Sequence, residues 1–128
     1  MELTDSILAT IKKMLGLEHD YTPFDMDIIV LINSTFMTLH QLGIGPKEGF
    51  SIRDYSAKWE DFLTNEVNLR AVQEYIYMKV RMVFDPPGNA FVMSAFEEQC
   101  REFEWRMNVQ AESVENFHFV NKENNPRI

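Results

Sequence analysis

At 128 residues and 15.1 kDa the chain suits one domain, and 45% hydrophobic with 25% charged residues is ordinary globular composition. Wholesale disorder, collagen-like structure and a disulfide scaffold are thereby excluded. Twenty acids against twelve bases give a net charge of −8, a deficit of the cations that neutralise phosphates, so general nucleic-acid binding is disfavoured.

Residues 5–15 read as a short helix. Thr4 is placed to cap it, Asp5 to favour its N-terminal end, Lys12 and Lys13 to occupy the last turn, and Gly16 to stop it. Ile7, Leu8, Ile11, Met14 and Leu15 form its apolar stripe. The next helix opens on Thr22-Pro23-Phe24-Asp25: a hydroxyl at the cap, proline at the first helical position and acid in the first turn. Phe24, Ile28, Ile32, Phe36 and Leu39 keep the helical period until Gly43. The β-branched run Ile28-Ile29-Val30 makes a strand conceivable there, but length and caps favour helix.

Gly43-Ile44-Gly45-Pro46-Lys47-Glu48-Gly49 breaks regular structure. Phe50-Ser51-Ile52-Arg53-Asp54 alternates apolar and polar residues, which suits a short strand or an extended arm. Ser56 is then expected to cap a short helix carrying Trp59, Phe62 and Leu63. A fourth helix spans roughly 66–84 on a spine of Leu69, Val72, Ile76, Val80 and Val83. Tyr75, Tyr77, Met78, Met82 and Phe84 make it apolar nearly all round, the pattern of a central helix or one pressed between subunits. Asp85-Pro86-Pro87-Gly88 ends it.

The last helix is expected from Asn89 to about Gln110. Its core face would be Phe91, Val92, Ala95, Phe96, Gln99, Phe103 and Met107, with Glu97–Arg101 and Glu102–Arg106 as i,i+4 pairs outside. Beyond Ala111 the chain turns polar around one apolar island, Phe117-His118-Phe119-Val120. The expected architecture is all-α: a small single-domain bundle of about five helices, with an extended insertion near residues 43–55. Residues 1–112 form the helical domain and residues 113–128 a C-terminal arm.

Little in the chain points to chemistry. His19, His40 and His118 stand in a linker, at a helix end and in the arm, without metal-ligand spacing. Cys100 is the single cysteine, which fits a reduced, cytosolic setting and a buried thiol better than a nucleophile. The Gly43–Gly49 run superficially suggests a phosphate loop, but it lacks the following Lys-Ser/Thr, and Pro46 removes an amide. The acids Glu97, Glu98, Glu102 and Glu104 read as a solvated helix face. No enzymatic constellation, cofactor site or metal site is expected. The acidic N-terminus does not read as a signal peptide, and no apolar run approaches a membrane span.

Two features exceed the needs of a small monomer. Tyr75, Tyr77, Met78 and Met82 on the all-round apolar helix suit a subunit contact, because aromatic residues and methionine are enriched in interface cores. Phe117, Phe119 and Val120 either pack back on their own domain or reach a partner.

The run Ser6-Ile7-Leu8-Ala9-Thr10-Ile11-Lys12-Lys13-Met14-Leu15-Gly16-Leu17 resembles the opening of head–tail connector (adaptor, head-completion) proteins of siphophages and prophages of Gram-positive bacteria. Further matches follow in order: Phe24 to Ile29, Ile32-Asn33-Ser34, Leu42 to Pro46, Gly49-Phe50-Ser51-Ile52, Trp59, Tyr75 to Arg81, Phe84-Asp85-Pro86-Pro87 and Glu104 to Gln110. The resemblance covers residues 5–112 and rests on the order and number of these pieces, none of which is a chemical motif.

The resemblance implies a structural virion protein, made in the host cytoplasm and assembled at the head–tail interface. Its copies would form a ring, typically dodecameric, under the portal protein, extending the DNA channel and giving further connector or tail proteins a platform. Head-to-tail ring contacts would then fall on the apolar fourth helix and on Ile44, Pro46, Phe50 and Ile52 of the 43–55 loop. Passing genomic DNA would slide along an acidic wall without specific binding. The competing reading is an acidic regulatory binder of phage origin, such as a DNA-mimicking inhibitor or antirepressor; that class calls for a dense acidic stripe, whereas bases are interleaved here.

Overall fold

The computed structural model describes residues 4–63 and 68–123, with residues 110–123 given as helical backbone. Five helices follow in order: α1 (Ile7–Met14), α2 (Asp25–Gln41), α3 (Trp59–Phe62), α4 (Leu69–Phe84) and α5 (Ala90–Glu123). The expected all-α bundle is what the chain forms. No strand occurs among the described residues; an isolated antiparallel bridge joins Ser6 and Lys58.

Helix α1 starts two residues later than Thr4 would have set it. Ser6 is the cap, and its hydroxyl accepts the Ala9 N–H at 3.2 Å. A long-range pairing fixes this entry: Ile7 N–H donates to the Ala57 carbonyl and Trp59 N–H to that of Asp5. Helix α2 likewise begins at Asp25, after the Thr22 carbonyl accepts the Asp25 N–H in a turn. Both helices stop as their glycines predict. Gly16 and Gly43 stand at φ +83°, and paired bonds close each end: Leu17 N–H to Lys12 O and Gly16 N–H to Lys13 O, then Ile44 N–H to Leu39 O and Gly43 N–H to His40 O.

Helix α4 is the hub on which α1, α2 and α5 pack, and α1 also packs on α2. The core joins Ile7, Leu8 and Ile11 of α1 to Ile28, Ile32, Phe36 and Leu39 of α2 and to Val72, Tyr75, Ile76 and Val80 of α4. Each side chain of this size buried from water contributes roughly 1.5–3 kcal/mol before the entropy of ordering it. Helix α3 is a single turn, yet it delivers two core residues, Trp59 and Phe62. Its start is set by Lys58 N–H donating to the Asp61 carboxylate at 2.8 Å; Ser56 instead bonds Asp54 in a local turn. The Trp59 indole N–H donates to Thr10 Oγ1 at 3.1 Å, so its one polar atom is satisfied inside the core.

The 43–55 segment is extended and folded inward. Ile52 is buried, and α2 reaches out to it: Asn33 Oδ1 accepts the Ile52 N–H at 2.7 Å, and Asn33 Nδ2 donates to the Ile52 carbonyl at 2.9 Å. Of the two readings of the alternating pattern, a short strand or an extended arm, the extended one holds, and one asparagine stands where a strand partner would be. Phe50 joins Phe36 and Phe62 in a triangle with ring centroids 4.7–5.3 Å apart.

Helix α5 is longer than expected. Asn89 caps it, its carboxamide oxygen accepting the Phe91 N–H at 2.7 Å, and the helix continues past Gln110 to Glu123. At 1.5 Å per residue its 34 residues span about 51 Å, twice the about 24 Å of the 16-residue α4. Its backbone therefore enters the segment 113–128 assigned to an arm. The side chains of Phe117, Phe119 and Val120 lie outside the described residues.

Candidate assembly surfaces

The structure divides the candidate interface residues. Ile52, Tyr75 and Met78 are 2%, 0% and 7% exposed. Their own chain covers them, so they are core residues, and their placement on a subunit surface is corrected. Ile44, Pro46, Phe50, Tyr77 and Met82 are half-buried and present only edges to solvent.

Tyr75 shows why the apolar circumference of α4 is spent internally. Its ring stacks on Phe103 of α5 at 4.4 Å between centroids, and its hydroxyl donates to Glu104 at 2.6 Å. Burial first, then the Glu104 bond, holds the phenol well above its ordinary range. On the same helix Arg81 donates to the Tyr77 hydroxyl at 2.7 Å and lies over the Phe96 ring of α5. Phe96, Cys100 and Phe103 form the docking face of α5. Burial pushes the Cys100 thiol up to about 11, so it is an inert packing group at neutral pH.

The most enclosed charge is Lys12, fully buried at the end of α1. Its ammonium donates to the carbonyls of His19 (3.2 Å) and Tyr21 (2.6 Å) and to the Tyr55 hydroxyl (2.5 Å), and meets Asp25 Oδ1 as an ion pair at 2.8 Å. Asp25 Oδ2 accepts the Tyr55 hydroxyl at 2.9 Å. Burial is the largest influence on Lys12 and opposes its charge, but the bonds to Asp25 and Tyr55 outweigh it and the amine sits above its ordinary value. Four partners around a cation held charged make a structural clasp and leave no lone pair for attack. It joins α1, the 17–24 linker, α2 and the 43–55 segment. The sequence offered one sign of it: Lys12 follows Leu8 by four residues, at the edge of the α1 stripe.

The amides of Gly43, Ile44 and Gly49 are used within the protein. Besides the α2 end bonds, Gly49 N–H donates to the Pro46 carbonyl, and His40 Nε2 lies 2.8 Å from the Lys47 carbonyl. Among the described residues no group of three or more His, Cys, Asp or Glu side chains converges, and no helix is long and apolar enough to cross a membrane.

Apolar exposure is concentrated elsewhere, on positions that the sequence reading did not single out as interface. Met26 (70%), Val30 (61%) and Met37 (66%) share the outward face of α2. Phe91 (87%) and Trp105 (65%), with Val109, share the outward face of α5. Phe91, expected on the core face of α5, points away from it, and Val92, also expected there, is 39% exposed near the helix start. Spacing could have found both sets: 26, 30 and 37, and 91, 105 and 109, each fall within one helical face offset from the buried one.

No curated protein and no solved structure gives a match to this chain. A family model does, over residues 7–114, the span that holds all five helix starts, the Lys12 clasp and both exposed stripes, and its description is phage connector protein. The chain therefore belongs to the phage connector protein family, a family of structural phage proteins.

Proposed function

We propose that the chain is a ring-forming subunit of the head–tail junction: copies close beneath the portal, extend the DNA channel and offer their free side to the next connector or tail component. Membership of the connector family over residues 7–114 carries this reading. Its surface is compatible with the role. A ring requires two different contact surfaces per subunit, because the contact repeats head to tail, and groups of exposed apolar side chains occur on both α2 and α5, besides the single Val83 of α4. The net charge of −8 suits a conduit that DNA passes without being gripped. Phe117, Phe119 and Val120, in the C-terminal 113–128 segment, are proposed to anchor the subunit to the portal or a neighbour. The DNA-mimic alternative is less well served, since on α5 Glu98 is bonded to Arg101 and Glu102 to Arg106.

Electron microscopy of virions, or of portal-bearing heads incubated with the purified chain, tests this. A closed collar of this chain directly under the portal is expected. Density at the portal that contains no copy of the chain would overturn the reading.

A further inference from the structure

We infer that the outward face of α2 and the outward face of α5 are the two halves of one head-to-tail contact: Met26, Val30 and Met37 of one copy receive Trp105 and Val109, with Phe91, of the next. The inference rests on the ring reading above and names the surfaces that would make it.

Charge selects a second copy as the occupant. A chain at −8 repels itself, so like copies can meet closely only where the local charge is near zero. The two faces meet that condition in different ways. Among the exposed positions of α2 only Asp27 carries a formal charge, although a quarter of the whole chain is charged. On the outward face of α5 the acids at the positions between Phe91 and Trp105 are paired in place, Glu98 with Arg101 at 2.9 Å and Glu102 with Arg106, while Glu97 and Glu104 lie off that face. A strongly basic partner would be drawn to the acidic remainder of the surface rather than to these two stripes. Composition agrees, because methionine and aromatic side chains with few charges mark the centre of protein contacts.

Inequivalence selects the geometry. One stripe is flexible and thioether-rich, the other rigid and aromatic, and they sit on helices that pack on α4 through different partners. A self-complementary pair would bring each stripe onto its own kind. Aromatic knobs against a methionine surface instead give a heterologous contact, which repeats. These side chains stand mostly in water, so replacing them leaves the fold intact.

The test uses two full-length variants, Met37→Glu to break the α2 face and Trp105→Glu to break the α5 face, each verified by circular dichroism and thermal melting. The wild-type chain should self-associate in sedimentation up to millimolar concentration, and each variant alone at least about tenfold more weakly. Mixed one to one, the variants should form dimers and nothing larger, since only one of the two possible contacts survives, α2 of the Trp105 variant with α5 of the Met37 variant. Wild type that stays monomeric, variants that associate like wild type, or a mixture that never dimerises would each overturn the assignment. A collar in virions that leaves Met37 and Trp105 in solvent would overturn this contact alone; virions whose portal carries no collar of this chain would overturn the ring reading itself.

Discussion

The 43–55 segment and helix α5 are opposites. The segment has almost no regular structure, yet its apolar side chains turn inward: Ile52 is buried, Phe50 is wedged between Phe36 and Phe62, and Tyr55 closes the Lys12 clasp. Helix α5 is the longest and most regular element, yet Phe91 and Trp105 on it face water. Regularity and burial are therefore separate properties here. An irregular segment is held by specific long-range bonds, while a helix meets its own backbone needs and can afford an unpartnered face.

The largest expected effect breaks the segment's anchorage at its far end. Lys12→Ala leaves Asp25 and two carbonyls without their cation and should destabilise the fold by about 3 kcal/mol in urea unfolding. The same clasp predicts a pH dependence. The folded-state value of Lys12 is raised above the ordinary 10.5, so the folded chain holds this proton more tightly than the unfolded one. Its contribution is complete below about 10.5 and is lost as pH rises through the folded value. Tyr75, raised above 10.0, acts in the same direction, because the unfolded chain ionises first. Stability should thus fall in alkali above about pH 10, and the Lys12→Ala variant should show a shallower fall.

Gly45→Ala strikes the middle of the anchorage. The residue sits at φ +93° and its new Cβ would overlap the Phe62 ring, so strain and overpacking together should cost about 2–3 kcal/mol in the same measurement. Asn33→Ala removes both backbone bonds of Ile52 and should cost about 2 kcal/mol, with faster hydrogen exchange at the Ile52 amide. Trp105→Ala sharpens the contrast from the other side. Although it deletes the largest side-chain type, the monomer's stability should change by no more than about 0.5 kcal/mol, since the ring is 65% exposed. A large loss there would mean that α5 is held by more than its docking face.

Helix positions were legible from apolar spacing and stop signals, and the boundaries moved where distant residues intervened. Ser6 replaced Thr4 as a cap because Ala57 and Asp5 hold the chain at the entry to α1. Asp25 replaced Pro23 as the first helical residue of α2, where its carboxylate meets Lys12. Tyr75 and Met78 of α4, expected at an interface, prove to be core residues for one reason: an all-round apolar helix is central or shared, and spacing alone does not distinguish these. Phe103 and Glu104, 28 and 29 residues along the chain, decide it by covering Tyr75.

By itself the sequence determined the helical class, the order of the elements, the glycine stops of α1 and α2 and the resemblance to phage connectors. These depend on near-neighbour geometry and on the order of short matches along the chain. Tertiary structure alone decided which side chains are spent inside and which are left outside. Lys12 is buried because Tyr55, 43 residues away, and Asp25 meet it, and Ile52 is fixed because Asn33, 19 residues away, bonds it. Met37 and Trp105 stay in water because none of the described residues covers them. Burial is a property of pairs brought together across the chain, and a linear pattern records only one member of each pair.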